Sequence, residues 1–194
     1  MKPLLEPNRR YTYVDCLSWS EGYRCEIING VACELPPVYT AHARVCGNLM
    51  FLLLSYVKNC GDKSEVLGGI FDVRLPKNGE LTYDKIDTVV QPDICVICDL
   101  SKLDERGCCG APDMIAEILS PSTFKRDFTE KFDLYQEHGV KEYWIVHPND
   151  KAINVYLLQE NGKYDDGTLY ELEGKIPVGV FDNYLIDLDD IFEK

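Results

Sequence analysis

Apolar residues recur every three or four positions from about Ala41 to Val57, where His42, Val45, Cys46, Leu49, Leu52, Leu53 and Tyr56 share one helical face. That stripe predicts a helix with one buried side, and Cys60 to Lys63 reads as its exit loop. Upstream, CEIINGVACEL sets Asn29-Gly30 between two short apolar runs, which predicts a hairpin closed by a turn with two positive φ angles. Pro36 and Pro37 end it. A short helix is expected near Val14 to Trp19.

Downstream the pattern shortens to strand length. Ile70 to Leu75, Val89 to Cys98 and Asp113 to Leu119 read as three strands. DLSKLDERGCCGAP, between the last two, is polar and glycine-bearing and reads as a loop. Ser120-Pro121-Ser122-Thr123 offers an N-cap for a helix of about fifteen residues ending at His138 and closed by Gly139. Tyr143 to Val146 is a fourth strand stopped by Pro148. Ile153 to Leu158 and Leu169 to Leu172 pair as a terminal hairpin around Glu160-Asn161-Gly162, and the acidic stretch from Asp187 to Glu193 reads as a solvated final turn. Helix, three strands, helix and strand, with a β-rich tail, predict a single α/β domain.

Two strands carry polar groups in apolar surroundings. In QPDICVI, alternation puts Gln91, Asp93, Cys95 and Ile97 on one face; in PDMIAEIL it puts Asp113, Ile115, Glu117 and Leu119 on one face and Met114, Ala116 and Ile118 on the other. A lone carboxylate in such a strand protonates or finds a cation. Asp93 and Glu117 on neighbouring strands can meet that cost together by holding a divalent metal, and oxygen ligands suit Mg²⁺ or Mn²⁺ rather than zinc. Equally, Asp93 can cap a strand start while Glu117 pairs with an Arg or Lys. Asp127, Lys131 and Tyr135 lie at i, i+4 and i+8 on the next helix, so Lys131 either points at the carboxylates or forms an exposed pair with Asp127.

Composition narrows the choices. The chain has 194 residues, with 33 Asp plus Glu against 20 Lys plus Arg and a net charge of -13. This excludes a nucleic-acid binder driven by overall charge, because phosphate neutralisation needs surplus cations. A local basic cleft stays compatible, and Lys125, Arg126, Lys131, Arg74 and Lys77 are the residues to form it. The N-terminal MKPLLEPNRR lacks the apolar core of a signal peptide, and Leu49 to Leu54 is too short to span a bilayer. A cytoplasmic protein with no membrane association is therefore expected. The nine cysteines read as reduced thiols used mostly as small apolar residues. Cys95 and Cys98, three apart on a strand, face opposite ways and make a poor zinc pair. Gly68-Gly69 lacks the strand–helix context of a phosphate loop, and His138 sits near a helix C-terminus where a cation is favoured.

The order of elements, with Pro92-Asp93 on one strand and Glu117 on the next, resembles the PD-(D/E)xK nuclease superfamily. QPDICVICD, GAPDMIAEILSPST, RDFTEKFDLY and GVKEYWIVHP, together with YRCEIINGVA, resemble its Uma-two branch of restriction-endonuclease-like proteins. The resemblance implies a mixed-sheet, restriction-endonuclease-like α/β core over 41–148, an N-terminal β-hairpin extension over 1–40 and a C-terminal β-rich extension over 149–194. It implies Asp93 and Glu117 as metal ligands for Mg²⁺ or Mn²⁺, and Glu26 as an auxiliary acid. The superfamily lysine stands two residues after the second acid, where this chain has Leu119, so Lys131 is expected to replace it as the third catalytic residue. Asp127 is then expected to orient Lys131, Tyr135 to be core packing with a bonded hydroxyl, and Gln91 and His42 to be auxiliary, His42 chiefly through a structural hydrogen bond. The implied activity is hydrolysis of DNA phosphodiesters by a homodimer. Two other readings share these residues: a catalytically weak or inactive nuclease-fold protein serving as an interaction or regulatory module, and a hydrolase of small phosphoesters.

Overall fold

Asn29 and Gly30 both take positive φ (49° and 77°), and they join strand β1 (Cys25–Ile28) to β2 (Val31–Glu34) in full antiparallel register. The Asn-Gly signal thus produced the hairpin that two positive φ angles demand. The computed structural model describes residues 4–6, 8–20, 22–77 and 79–193. In chain order the other elements begin with α1 (Tyr13–Ser18), α2 (Thr40–Cys60), β3 (Glu65–Leu67), β4 (Val73–Arg74), β5 (Val89–Val90) and β6 (Ile94–Ile97). Next come β7 (Leu103–Asp104), β8 (Gly107–Cys109), β9 (Met114–Ile118), α3 (Phe124–Phe128), α4 (Glu130–His138) and β10 (Glu142–His147). The chain closes with β11 (Ala152–Leu157), β12 (Thr168–Glu171), β13 (Lys175–Pro177), β14 (Leu185–Asp187) and α5 (Leu188–Phe192). No helix among the described residues is long and apolar enough to cross a membrane.

These elements divide into two compact units. The first holds the chain up to Pro37, Ile70–Gln91 and Ser101–Ala111. Its sheet runs β2-β1-β5-β4-β8-β7, with Tyr13, Ile86 and Val89 as a small core. Arg74 is completely buried there, and its Nη2 donates to Asp104 Oδ1 at 2.7 Å while its Nε donates to the Cys108 carbonyl. The guanidinium also lies 5.1 Å from the Tyr13 ring centroid, which adds a cation–π contact. Asp104, about half exposed, supplies the carboxylate of this pair. Asp104→Asn is therefore expected to lower stability by about 2 kcal/mol, less than for a fully buried pair because water reaches one partner. The Arg74 hydrogen bond holds the Asp104 carboxyl below the usual carboxylate range. Its contribution is present above the unfolded pKa near 4 and is lost as pH falls through the lower folded value. Urea unfolding of wild type and variant should accordingly converge below about pH 3; an equal gap at pH 7 and pH 3 would refute the assignment.

The second unit holds the rest, with sheet order β12-β11-β10-β9-β6-β3. Strands β9 and β10 run parallel, and the other neighbours are antiparallel. Alternation sorts the faces as expected. Met114, Ala116 and Ile118 join Val45, Leu49 and Leu53 of α2 in one apolar core, completed by Leu188, Ile191 and Phe192 of α5. On the other face, Tyr143 packs against Tyr135 of α4 with ring centroids 5.0 Å apart. Glu142, buried at the start of β10, accepts from Trp144 Nε1 at 2.7 Å and from the Val180 N–H at 2.9 Å. Burial pushes its carboxyl up, and those donors oppose the shift.

The structure corrects several expected elements. The strand expected over Val89 to Cys98 is two strands in two sheets, separated at Gln91-Pro92-Asp93, because Pro92 has no N–H to give to a ladder. Of Ile70 to Leu75 only Val73–Arg74 pairs, and Ile70 is exposed. The polar segment 99–112 contains the paired strands β7 and β8. Helix α2 runs on to Cys60 and ends at Gly61 in the left-handed region. The helix expected up to His138 breaks at Thr129 (φ -125°, ψ -83°), whose hydroxyl donates to the Lys125 carbonyl in competition with the backbone. The acidic end is not a solvated turn: Asp187 caps α5, whose Leu188, Ile191 and Phe192 are buried while its acids face out. The Glu142–His147 strand, the hairpin of β11 with β12, and the Gly139 helix end agree with the sequence.

Candidate active site

Ile94 pairs with Ala116 across β6 and β9, so one further step of the register sets Asp93 against Glu117. Asp93 stands just before β6, where Pro92 has ended the preceding ladder. Its Oδ2 accepts from the Ile118 N–H at 2.8 Å and lies 3.0 Å from His42 Nε2, on the first turn of α2. The carboxylate thus does cap a strand start, and it does so across the strand pair. Among the described residues, no protein group donates to its other oxygen, Oδ1. The Asp93 side chain keeps 18% of its surface exposed. Cys46, one turn after His42, approaches the Asp93 carbonyl at 3.8 Å. Burial first, and then the charges of Asp93 and Glu117, push that thiol up to about 11, so it stays protonated at neutral pH.

Glu117 rises from the middle of an apolar strand and is almost wholly buried. Lys131 Nζ donates to its Oε1 at 2.8 Å, and Tyr135 Oη donates to the same oxygen at 2.6 Å. Lys131 and Tyr135 are one turn apart on α4 and both buried, so a single helix face delivers a cation and a hydroxyl to one carboxylate. Asp127 and Lys131 are both buried, so neither is part of an exposed surface pair. Asp127 is buried in α3, on the other side of the break at Thr129, and its carbonyl accepts from Tyr143 Oη at 3.0 Å. Tyr135 is the residue whose site contact is most direct beyond expectation; its one-turn spacing from Lys131 was the available signal.

The remaining candidates, Glu26 and Gln91, belong to the first unit. Glu26, fully buried in β1, accepts from the Gln91 N–H at 3.0 Å, and Gln91 Nε2 donates to Asp72 Oδ1 at 3.0 Å. Both residues belong to the first unit, whereas Asp93, Glu117, Asp127, Lys131 and His42 belong to the second. Of the cations expected to line a basic cleft, Arg74 and Lys77 belong to the first unit and Lys125, Arg126 and Lys131 to the second. Arg74 is spent on Asp104, Lys131 on Glu117, and Lys77 on Asn29 and Asp87.

Gly68, set aside in the sequence as a phosphate loop, has a different use. A Cβ built there would collide with the Asp93 carbonyl oxygen and lie 2.9 Å from its carbonyl carbon. The absent side chain lets the β3 end approach the backbone that carries Asp93, and the Gly69 N–H donates to that carbonyl at 3.2 Å.

Among the described residues, no three His, Cys, Asp or Glu side chains group closely enough to cage a metal. Two facing carboxylates, one with an oxygen turned to no protein donor, still fit a hard divalent cation. Mg²⁺ commonly takes one or two carboxylates and completes its shell with water and substrate phosphate, whereas Ca²⁺ asks for six to eight oxygens.

A family model described as Uma2, putative restriction endonuclease, matches residues 13–179. No curated protein matches the chain. The crystal structure of a putative nuclease belonging to DUF820 from Anabaena variabilis is similar in fold, with a TM-score of 0.73 and 20% sequence identity over 94% of this chain and 97% of that one.

Proposed function

Because this chain belongs to the Uma2 family of putative restriction endonucleases, we propose that it is a metal-dependent phosphodiesterase acting on DNA. In this reading Asp93 and Glu117 hold Mg²⁺ or Mn²⁺ and Lys131 is the cation beside them. The observation that carries it is the register that sets Asp93 beside Glu117 on neighbouring strands, with Lys131 of α4 2.8 Å from Glu117. Burying a lysine, a tyrosine and a glutamate together is costly unless the group is satisfied internally, and a purely structural strand would hold an aliphatic residue at Glu117.

A bound divalent ion would supply Lewis-acid polarisation of the phosphate and a water of lowered pKa. The chain's own residues do the positioning. His42 and the Ile118 N–H fix Asp93 through Oδ2 and leave Oδ1 without a donor among the described residues. Tyr135 and Lys131 hold Glu117 in one rotamer through Oε1, and Lys131 keeps a positive charge within reach of charge that develops on a phosphate. Glu26 is the auxiliary acid of the first unit, and Asp127 orients Lys131. Homodimerisation, which the superfamily resemblance implies, is needed only for cutting both strands of a duplex.

Asp93→Asn tests the reading with little disturbance, because the amide oxygen can still accept from Ile118 and from a protonated His42 nitrogen. Supercoiled plasmid nicking in Mn²⁺ is expected to fall by about two orders of magnitude or more, in line with loss of one charge-stabilising group. Mn²⁺ affinity by calorimetry should fall with it. Unchanged nicking would sink the site. The burial of Lys131 favours a second reading, a nuclease fold retained as an interaction module, and metal binding by wild type without any nicking would select it.

A further inference from the structure

Two hollows of about 310 and 250 Å³ adjoin at the ends of β9 and β10, and both are lined by Leu119, Ser120, Pro121, Pro148 and Asn149. These strands are parallel, so the hollows open at their carboxyl ends, where open α/β sheets generally take ligands. One hollow extends to Tyr39 and His42, the other to Phe124 and His147. His42 is the residue whose Nε2 meets Asp93, so one hollow shares a lining residue with the acid site.

The rims of this groove are aromatic. Tyr39 is 61% and Phe124 52% exposed. Phe124 is backed by Phe128 at 5.0 Å between ring centroids, and Phe128 by His147 at 5.8 Å, so a row of rings supports its outer face. Asn149, exposed between the rims, offers an amide with both donors and an acceptor. The charges beside the groove nearly cancel: Lys125 follows Phe124, and Asp150 lines the Phe124 hollow. A duplex brings phosphates to such a surface and keeps its bases stacked inside. A single strand brings base faces, which stack on exposed rings without regard to sequence, and it releases fewer counterions per phosphate contact than a duplex.

We propose that this groove receives unpaired bases of single-stranded DNA, stacked on Tyr39 and Phe124, and that the acid pair therefore acts on single-stranded DNA. The inference rests on the phosphodiesterase reading and names its substrate class. Tyr39 and Phe124 bind the substrate, and neither touches Asp93 or Glu117 through any contact described above.

The test compares a fluorescein-labelled 15-nucleotide single strand with the duplex of the same sequence, bound by the full chain in Ca²⁺ and cleaved in Mn²⁺. The single strand is expected to bind about tenfold tighter than the duplex, with Tyr39→Ala and Phe124→Ala each weakening it about tenfold. A 2-aminopurine in the strand should be quenched on binding to wild type and not to the doubly substituted protein. Cleavage in Mn²⁺ that prefers the duplex, or single-strand binding unchanged in both variants, overturns the groove and leaves the phosphodiesterase standing. Absence of both binding and cleavage for either form of DNA overturns the phosphodiesterase reading and this inference with it.

Discussion

Glu117→Gln is expected to abolish plasmid nicking, to weaken Mn²⁺ binding and to destabilise the chain by about 3 kcal/mol, since it leaves Lys131 buried without its counter-charge. The amide oxygen can still accept from Tyr135 Oη, which spares one hydrogen bond. The loss is therefore chiefly electrostatic, in a pair whose side chains are 4% and 5% exposed. Replacing Lys131 as well, in Glu117→Gln/Lys131→Met, removes the stranded charge, and stability should return to within about 1 kcal/mol of wild type because neighbouring effects do not add. Nicking should stay absent. Urea unfolding of wild type, Glu117→Gln, Lys131→Met and the double variant, with calorimetric Mn²⁺ titration, separates a structural ion pair from a functional one. If Glu117→Gln bound Mn²⁺ as wild type does, Glu117 would be a structural partner of Lys131 and nothing more.

The second large effect is expected from a residue with no functional group. Gly68→Ala drives a methyl into the Asp93 carbonyl and to 3.0 Å from the Ile94 Cα, and both neighbours are backbone in a ladder that cannot turn aside. Relief requires β3 or the Asp93 peptide to shift, at a cost of about 2 kcal/mol by comparison with overpacked cores. A displacement approaching 1 Å at Asp93 should lower nicking by about a hundredfold. Gly69→Ala is the control. Its φ of +78° makes an alanine strained, yet a Cβ there meets open space. It should cost about 1 kcal/mol of stability and leave nicking near wild type. Equal activity losses in the two variants would show that the loop itself, rather than the seat of Asp93, matters.

Much of the acid pair was legible in the chain. Alternation alone set Met114, Ala116 and Ile118 against α2 and left Glu117 on the opposite face, because a strand has a period of two wherever it pairs. The Asn29-Gly30 hairpin and the Gly139 helix end were legible for a similar reason: each needs a positive φ that few residues tolerate. Pro92 was visible too, and its meaning was missed. It splits an apolar run into β5 and β6, which pair in different sheets, so Gln91 and Asp93 do not share a strand face. The break at Thr129 was hidden because one hydroxyl bonding to a carbonyl four residues back outweighed a continuous helical pattern.

What the sequence determined by itself is therefore local and periodic: which residues turn, which strand face is apolar, and that Asp93 and Glu117 stand in apolar company on neighbouring strands. Partnership is what only the tertiary structure decided. That Lys131 reaches Glu117 depends on how α4 docks after the chain breaks at Thr129, and that Arg74 meets Asp104 depends on the β4–β8 pairing. The physical reason is that a charge names no partner along the chain. Which opposite charge it meets is set by long-range packing, and burial then makes that single choice binding.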